Sequence, residues 1–252
     1  MSTHRLLRGL FPIGFLLIAT IGAPAQAQAQ TNESRWVVDV GVGVDPSING
    51  NVNSGAIGTL QGLATAILPQ SYGDVYGTGI GLHFGGGFVF DERSELRAMF
   101  TWQSADADLV RMGDIGPSSL YAQYDDYKSF GLDVGYRRYF MTSSRSVRPF
   151  GEAMIGIAWV DGIDAQFAAP QGNVVFPTTD FYHSTAAFTW NLNVGLLMRV
   201  SDYVDVSGQL GLRHVGGLSQ VDQFVGTGLQ DINNDTGRLT FPIGIGVRFH
   251  FK

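Results

Sequence analysis

The sequence predicts an all-β fold, an eight-stranded antiparallel up-and-down transmembrane β-barrel. Three observations predict it. After residue 35, apolar and polar or glycine residues alternate with period two in eight runs, each about the 9–11 residues that a tilted strand needs to cross a bilayer. The connections between runs alternate between tight and long, as at the two rims of an outer-membrane barrel. The apolar face is also too bulky for the lumen of an eight-stranded barrel, which only just holds side chains, so it is assigned to lipid.

The chain opens with His4, Arg5 and Arg8, the apolar run Leu10 to Ile21 and the small-residue stretch Ala23 to Ala29. That is the layout of a secretory signal peptide, too short to span a bilayer as a helix. Residues 1–29 are therefore read as a signal, cleaved after Ala25, Ala27 or Ala29, and residues 30–252 as a single barrel domain. With no Cys, disulfide frameworks, thiolate metal sites and a lipid-modified Cys are excluded. Removing Arg5 and Arg8 leaves 14 basic against 22 acidic residues, a net −8. That balance argues against nucleic acid as a partner.

Strand 1 sets Trp36, Val38, Val40, Val42 and Val44 against Asp39, Gly41 and Gly43. Strand 2 sets Ile80, Leu82, Phe84, Phe88 and Phe90 against His83, Gly85 and Gly87, and strand 3 sets Leu96, Ala98, Phe100 and Trp102 against Glu95, Arg97, Thr101 and Gln103. Strand 4 opposes Phe130, Leu132, Val134 and Tyr136 to Ser129, Asp133, Gly135 and Arg137. In strand 5, Ala153, Ile155, Ile157 and Trp159 oppose Glu152 and Gly156. Strand 6 alternates Phe188, Trp190, Leu192, Val194, Leu196 and Met198 with Thr189, Asn191, Asn193 and Arg199. Strand 7 opposes Val204, Val206, Leu210 and Leu212 to Asp205, Ser207, Gln209 and Arg213. Strand 8 carries Leu239, Phe241, Ile243, Ile245, Val247, Phe249 and Phe251 against Arg238, Thr240, Gly244, Gly246, Arg248 and His250.

All four Trp fall on the apolar face near strand ends. Trp36, Trp102, Trp159 and Trp190, with Phe249 and Phe251, are the predicted aromatic girdle. On the other face, Arg97, Arg137, Arg148, Arg199, Arg213 and Arg248 nearly balance Asp39, Glu95, Asp133, Glu152 and Asp205. Opposite charges in a narrow lumen pair and close it, whereas a selective channel favours a ring of one sign. The turn at Asp202 places Arg199 opposite Asp205, and the Met141 to Ser146 turn places Arg137 opposite Glu152. Arg138 and Lys128 break the parity, both near strand ends where charge reaches the interface.

Two phrases then carry a resemblance: Gly131 to Phe140 (GLDVGYRRYF) and Arg148-Pro149-Phe150-Gly151. With the architecture, over strands 1 to 8, they make the chain resemble the OmpA-type barrels and the wider family of eight-stranded outer-membrane β-barrel proteins. The resemblance implies a bacterial outer-membrane location and, as partners, outer-membrane lipids and the assembly machinery. It also implies an extracellular ligand engaged through the long loops. Such barrels bridge to peptidoglycan, adhere to surfaces or pass small solutes. The sequence ends with strand 8, so a peptidoglycan-bridging domain is not expected. The terminal aromatic read during assembly is one place early, in Phe249-His250-Phe251-Lys252.

The leading expectation is a structural or surface-interaction barrel with a charge-closed lumen, displaying acidic loops that carry Asp106, Asp108, Asp114, Asp125, Asp126, Asp161 and Asp164. A narrow channel for small or apolar solutes is the alternative, and a lipid A-modifying enzyme the third. Catalysis is not expected: His183 and Ser184 are neighbours whose side chains point to opposite faces. His83 and His250 have lumen parity without a paired Ser, and His214 lies at the outer end of strand 7. Asp231 to Gly237 has oxygen ligands at calcium-loop spacing, but its Gly is late and Pro242 stands where the closing Glu belongs. An Asx-rich turn is the expectation there, with no metal or cofactor. In the first loop, Ile57, Leu60, Leu63, Ala64 and Ile67 recur at helical spacing within 55–69, which predicts an amphipathic helix or an apolar loop folded on itself.

Overall fold

The computed structural model describes residues 35–251; the signal reading of residues 1–29 lies outside them. Eight long strands form the barrel: β1 (Trp36–Asn49), β2 (Thr78–Asp91), β3 (Ser94–Ala105), β4 (Tyr127–Tyr139), β5 (Val147–Val160), β6 (Thr185–Arg199), β7 (Val204–Val215) and β8 (Ile243–Phe251). Each pairs antiparallel with its sequence neighbour, and β8 closes the cylinder on β1 through Trp36↔Phe251 to Val44↔Ile243. Closure leaves no edge whose backbone groups would face hydrocarbon unpaired. Among the described residues no helix is long and apolar enough to cross a membrane.

The alternation read from the sequence is the inside–outside alternation of this cylinder. Val42, Leu82, Phe84, Ile155 and Leu192 are exposed on the outer surface, while Glu95, Arg137, Arg213 and Arg248 are buried within. Both expected cross-strand pairs occur, Arg199↔Asp205 and Arg137↔Glu152. Trp36 and Phe251, at the two ends of the described chain, pair at the rim of the short turns. Strand 8 is interrupted: Arg238–Thr240 pairs with β1 and β7, then Pro242, which has no N–H to give, breaks the ladder before β8.

The girdle residues form two bands. Trp36 packs on Phe88 (4.9 Å between ring centres) beside Phe249 and Phe251 at the short-turn rim. Trp102, Phe130 and Trp159 lie side by side in register towards the long-loop rim, where Trp190 stacks on His214 at 5.7 Å. Arg138 is exposed at the short-turn rim and bonds Ser94.

The long connections are not irregular. Their strands pair with one another into a second sheet, ordered Ser219–Gln220, Thr179–His183, Ile163–Ala169, Ser118–Tyr124, Val110–Ile115, Leu63–Ile67 and Ala56–Leu60. The last connection, residues 216–237, reaches both ends of that order: Gln220 pairs with Tyr182, and the Thr59 N–H donates to the Thr227 carbonyl at 2.8 Å. The result is a dome standing on the barrel mouth.

Of the two expectations for 55–69, the helix does not form and the segment folds back on itself. The segment is a β-hairpin, Ala56–Leu60 against Leu63–Ile67, turned by Gln61 and Gly62 with φ of 51° and 78°. Two consecutive positive φ values make the primed two-residue turn that suits paired strands. The helical spacing arose because apolar side chains occupy both faces, with Ile57 and Leu63 exposed and Ile67 buried. The helix of this loop comes later, at Tyr72–Tyr76, capped by Ser71 and Asp74 in a reciprocal capping box.

Candidate functional site

From the short-turn rim outwards, the lumen has three layers. The innermost is ionic. Arg248 from β8 reaches Asp39 on β1 at 3.0 Å and Glu95 on β3 at 2.9 Å. Arg97 pairs with Asp39 at 3.0 Å and with Glu152 at 2.7 Å, and Glu152 also takes Arg137 at 2.9 Å and the amide of Asn193 at 3.0 Å. The Tyr139 hydroxyl donates to Glu95 at 2.6 Å, and the Arg137 guanidinium lies 3.9 Å over the Phe150 ring. Asp205 sits among His250 (2.8 Å), Arg148 (3.4 Å) and Arg199 (4.0 Å). Arg97, Arg137, Glu95, Glu152 and Arg248 are all buried. Charges taken out of water this way are tolerated only when paired and hydrogen-bonded.

Several of these contacts were not legible in the sequence. Parity places a residue in the lumen, but the bond from Arg248 to Glu95 spans strands that are not neighbours. Tyr139 and His250 join the network without having been expected there. Asp133 and Arg213, expected in the charge network, do face the lumen but are not an ion pair. Asp133 accepts from the Thr189 hydroxyl at 2.5 Å, and the Nε and Nη2 of Arg213 have no partner in the protein. They line the second layer, a chamber of about 100 Å3 that also meets His83, Gln103, Asp45 and Asn191.

The third layer closes the mouth with apolar surface. The Tyr72–Tyr76 helix is packed there against Tyr127, with ring centres at 6.2 Å from Tyr72 and 5.9 Å from Tyr76. Arg238 lies beneath, its guanidinium 4.4 Å over the Tyr127 ring and its Nε donating to Ser47 at 2.9 Å. This layer is continuous with the dome core, where Phe181 meets Tyr182, Tyr124 and Phe224 at 5.0, 5.3 and 5.9 Å. Burial holds the Tyr72, Tyr76, Tyr124 and Tyr182 phenols well above their ordinary values, so all four are neutral.

Asp235 ties the last connection to this cap. Its carboxylate accepts the Leu218 N–H at 2.9 and 3.0 Å and the Tyr72 hydroxyl at 3.2 Å. Burial pushes its pKa up to about 6, against the downward pull of those donors. In the unfolded loop the value returns to about 3.8. The folded value is the higher one, so stability is full below the unfolded value, is lost as pH rises to about 6 and is level above it. Amide protection in residues 216–237, corrected for intrinsic exchange, is therefore expected to be greater at pH 4 than at pH 7. Asp235→Asn should remove the dependence, and protection that grows with pH would reverse the sign of the account.

The Asp231 to Gly237 stretch is thus part of a strap across the dome, and no group of three metal-ligating side chains occurs among the described residues. On the dome surface, Asp106, Asp108, Asp114, Asp125, Asp126 and Asp161 are exposed, and Asp164 is half-buried. Burial, with Asp125 and Asp180 nearby, raises the Asp164 carboxyl.

The family described as outer membrane protein beta-barrel domain matches residues 15–249. No curated protein matches the chain. Among solved structures it is similar to Neisserial surface protein A, with 12% identity and a TM-score of 0.47 over 87% of this chain and 99% of that one. It is similar to OprG from Pseudomonas aeruginosa, with 11% identity and a TM-score of 0.48 over 87% and 98%. It is also similar to the outer membrane protease OmpT from Escherichia coli, with 9% identity and a TM-score of 0.45 over 90% and 100%. The chain belongs to the outer membrane protein β-barrel domain family.

Proposed function

We propose that this protein is a sealed outer-membrane anchor that displays a rigid acidic dome to an extracellular ligand, after export on the leader of residues 1–29. The observation that carries the reading is the dome itself. The long connections bury a common core of Phe167, Phe181, Phe224 and buried tyrosines, and pair strand to strand. A loop set built only to line a passage gains nothing from that rigidity, whereas a preorganised surface loses less freedom on binding a partner. Below it, the ionic layer and the tyrosine cap stand across the path a solute would take, which disfavours a narrow channel.

A catalytic role is disfavoured by the same geometry. His183 is exposed, and the Ser184 hydroxyl accepts the Gly162 N–H at 3.1 Å. His214 is stacked on Trp190. Neither arrangement pairs a nucleophile with a base.

The native chain has no Cys, so display is readily tested by single replacements. Val175→Cys and Ile57→Cys, 67% and 85% exposed on the dome, should react with a membrane-impermeant maleimide on intact cells. Asp202→Cys, in the short turn after β6, should react only once the outer membrane is opened. Labelling of Asp202→Cys alone on intact cells would overturn the display.

A further inference from the structure

The chamber between the ionic layer and the tyrosine cap holds buried polar atoms of both kinds without protein partners. Arg213, 4% exposed, extends from β7 towards β4, where a side-chain carbon at Gly131 would lie 3.1 Å from Nη2. Its Nε and Nη2 form one edge of the guanidinium, the edge that takes a carboxylate through two parallel hydrogen bonds, and neither has an acceptor. Register brings acceptors to the same place. Gln103 on β3 pairs with Ser129 on β4, two residues from Gly131. Gln103 donates to Asp45, leaving its own Oε1 and the Asp45 Oδ1 without donors, and the Ser129 Oγ is equally unpartnered. Gln103 and Asp45 are both buried and line the chamber with Arg213.

An anion alone would answer Arg213 but meet the carboxylates of Asp45 and Asp133. A cation alone would answer Asp45 but meet Arg213. A small molecule carrying both charges satisfies the two ends together, and a chamber of about 100 Å3 admits only a small one. We propose that the chamber binds a small zwitterion of the α-amino acid class, its carboxylate on the Arg213 edge and its ammonium on Asp45 and the Gln103 carbonyl. Most of the chamber wall is hydrogen-bonded sheet. On the side facing the dome stands the Tyr72–Tyr76 helix, held by side-chain packing, by the Asp235 bond and by backbone bonds from the Tyr72 N–H to the Gly50 carbonyl (2.9 Å) and from the Asp108 N–H to the Val75 carbonyl (2.8 Å).

The test is saturation-transfer NMR of glycine with the full barrel purified in detergent, with acetate and methylamine as single-charge probes. Glycine should give a saturable signal, and each single-charge probe should bind at least about tenfold more weakly, because a charged hydrogen-bonding end is lost. Arg213→Gln and Asp45→Asn should each weaken glycine by a similar factor. Arg111→Gln, which alters only an exposed pair with Asp114 on the dome, should change nothing. If Arg213→Gln does not fold, Arg213→Lys keeps the charge but loses the two-donor edge, and the same weakening is expected. No saturable glycine signal, acetate binding as well as glycine, or glycine binding retained in both the Arg213 and Asp45 variants would each overturn the proposal.

Discussion

Replacing Glu152 with alanine is expected to cost about 3–5 kcal/mol of barrel stability, the loss that follows when one partner of a buried ionic cluster is removed. Glu152 is the hub of the inner layer. One of its oxygens takes both Arg97 (2.7 Å) and Arg137 (2.9 Å), and the other accepts from Asn193 (3.0 Å). Both arginines are almost fully buried. Arg97 retains Asp39, but Arg137 loses the carboxylate it pairs with. Urea unfolding of the protein refolded into lipid, compared with the unmutated chain, measures the difference. A loss below about 1 kcal/mol, the range of exposed pairs, would mean that the arginines are satisfied without Glu152.

Phe181→Ala is expected to unfold the dome and leave the barrel intact. Phe181 is fully buried and touches four aromatic rings, Tyr124, Phe167, Tyr182 and Phe224. Truncating such a ring costs about 3–5 kcal/mol. The dome has few other means to absorb that loss, being short strands over one apolar core. The barrel ladder is independent of it, because each strand pairs along its full membrane-spanning length and has no alternative hydrogen-bond partners in hydrocarbon. Hydrogen exchange should rise sharply in residues 56–67, 110–124 and 163–183 while β1 to β8 keep their protection. Equal loss of protection in both parts would show that dome and barrel fold as one unit.

The barrel was legible because a period of two is strict where one face meets lipid. A slip of one residue would expose every lumen charge on the strand, so parity together with the short turns at Asp202 and Met141 to Ser146 gave Arg137↔Glu152 and Arg199↔Asp205. The dome was not legible for specific reasons. Ile163, Ala165, Phe167 and Ala169 do alternate inwards, but the alanines make the pattern faint. In residues 110–124 the alternation is shifted by a bulge between Arg111 and Gly113. Gln61-Gly62 is a weaker turn signal than Asn-Gly, so the hairpin around it was hidden behind an accidental helical spacing. Within the lumen, parity gave the residues but not their partners. Arg213, expected to be paired, and Gln103, bonded to Asp45, depend on contacts across the barrel that register between neighbouring strands does not specify.

A sealed lumen is tested most directly by single-channel recording of the purified protein in a planar lipid bilayer. The unmutated protein should pass little or no steady current, and Arg97→Ala or Arg137→Ala, which open the ionic layer, should raise it. Large, stable, ion-selective steps in the unmutated protein would contradict a sealed anchor and make the barrel a channel.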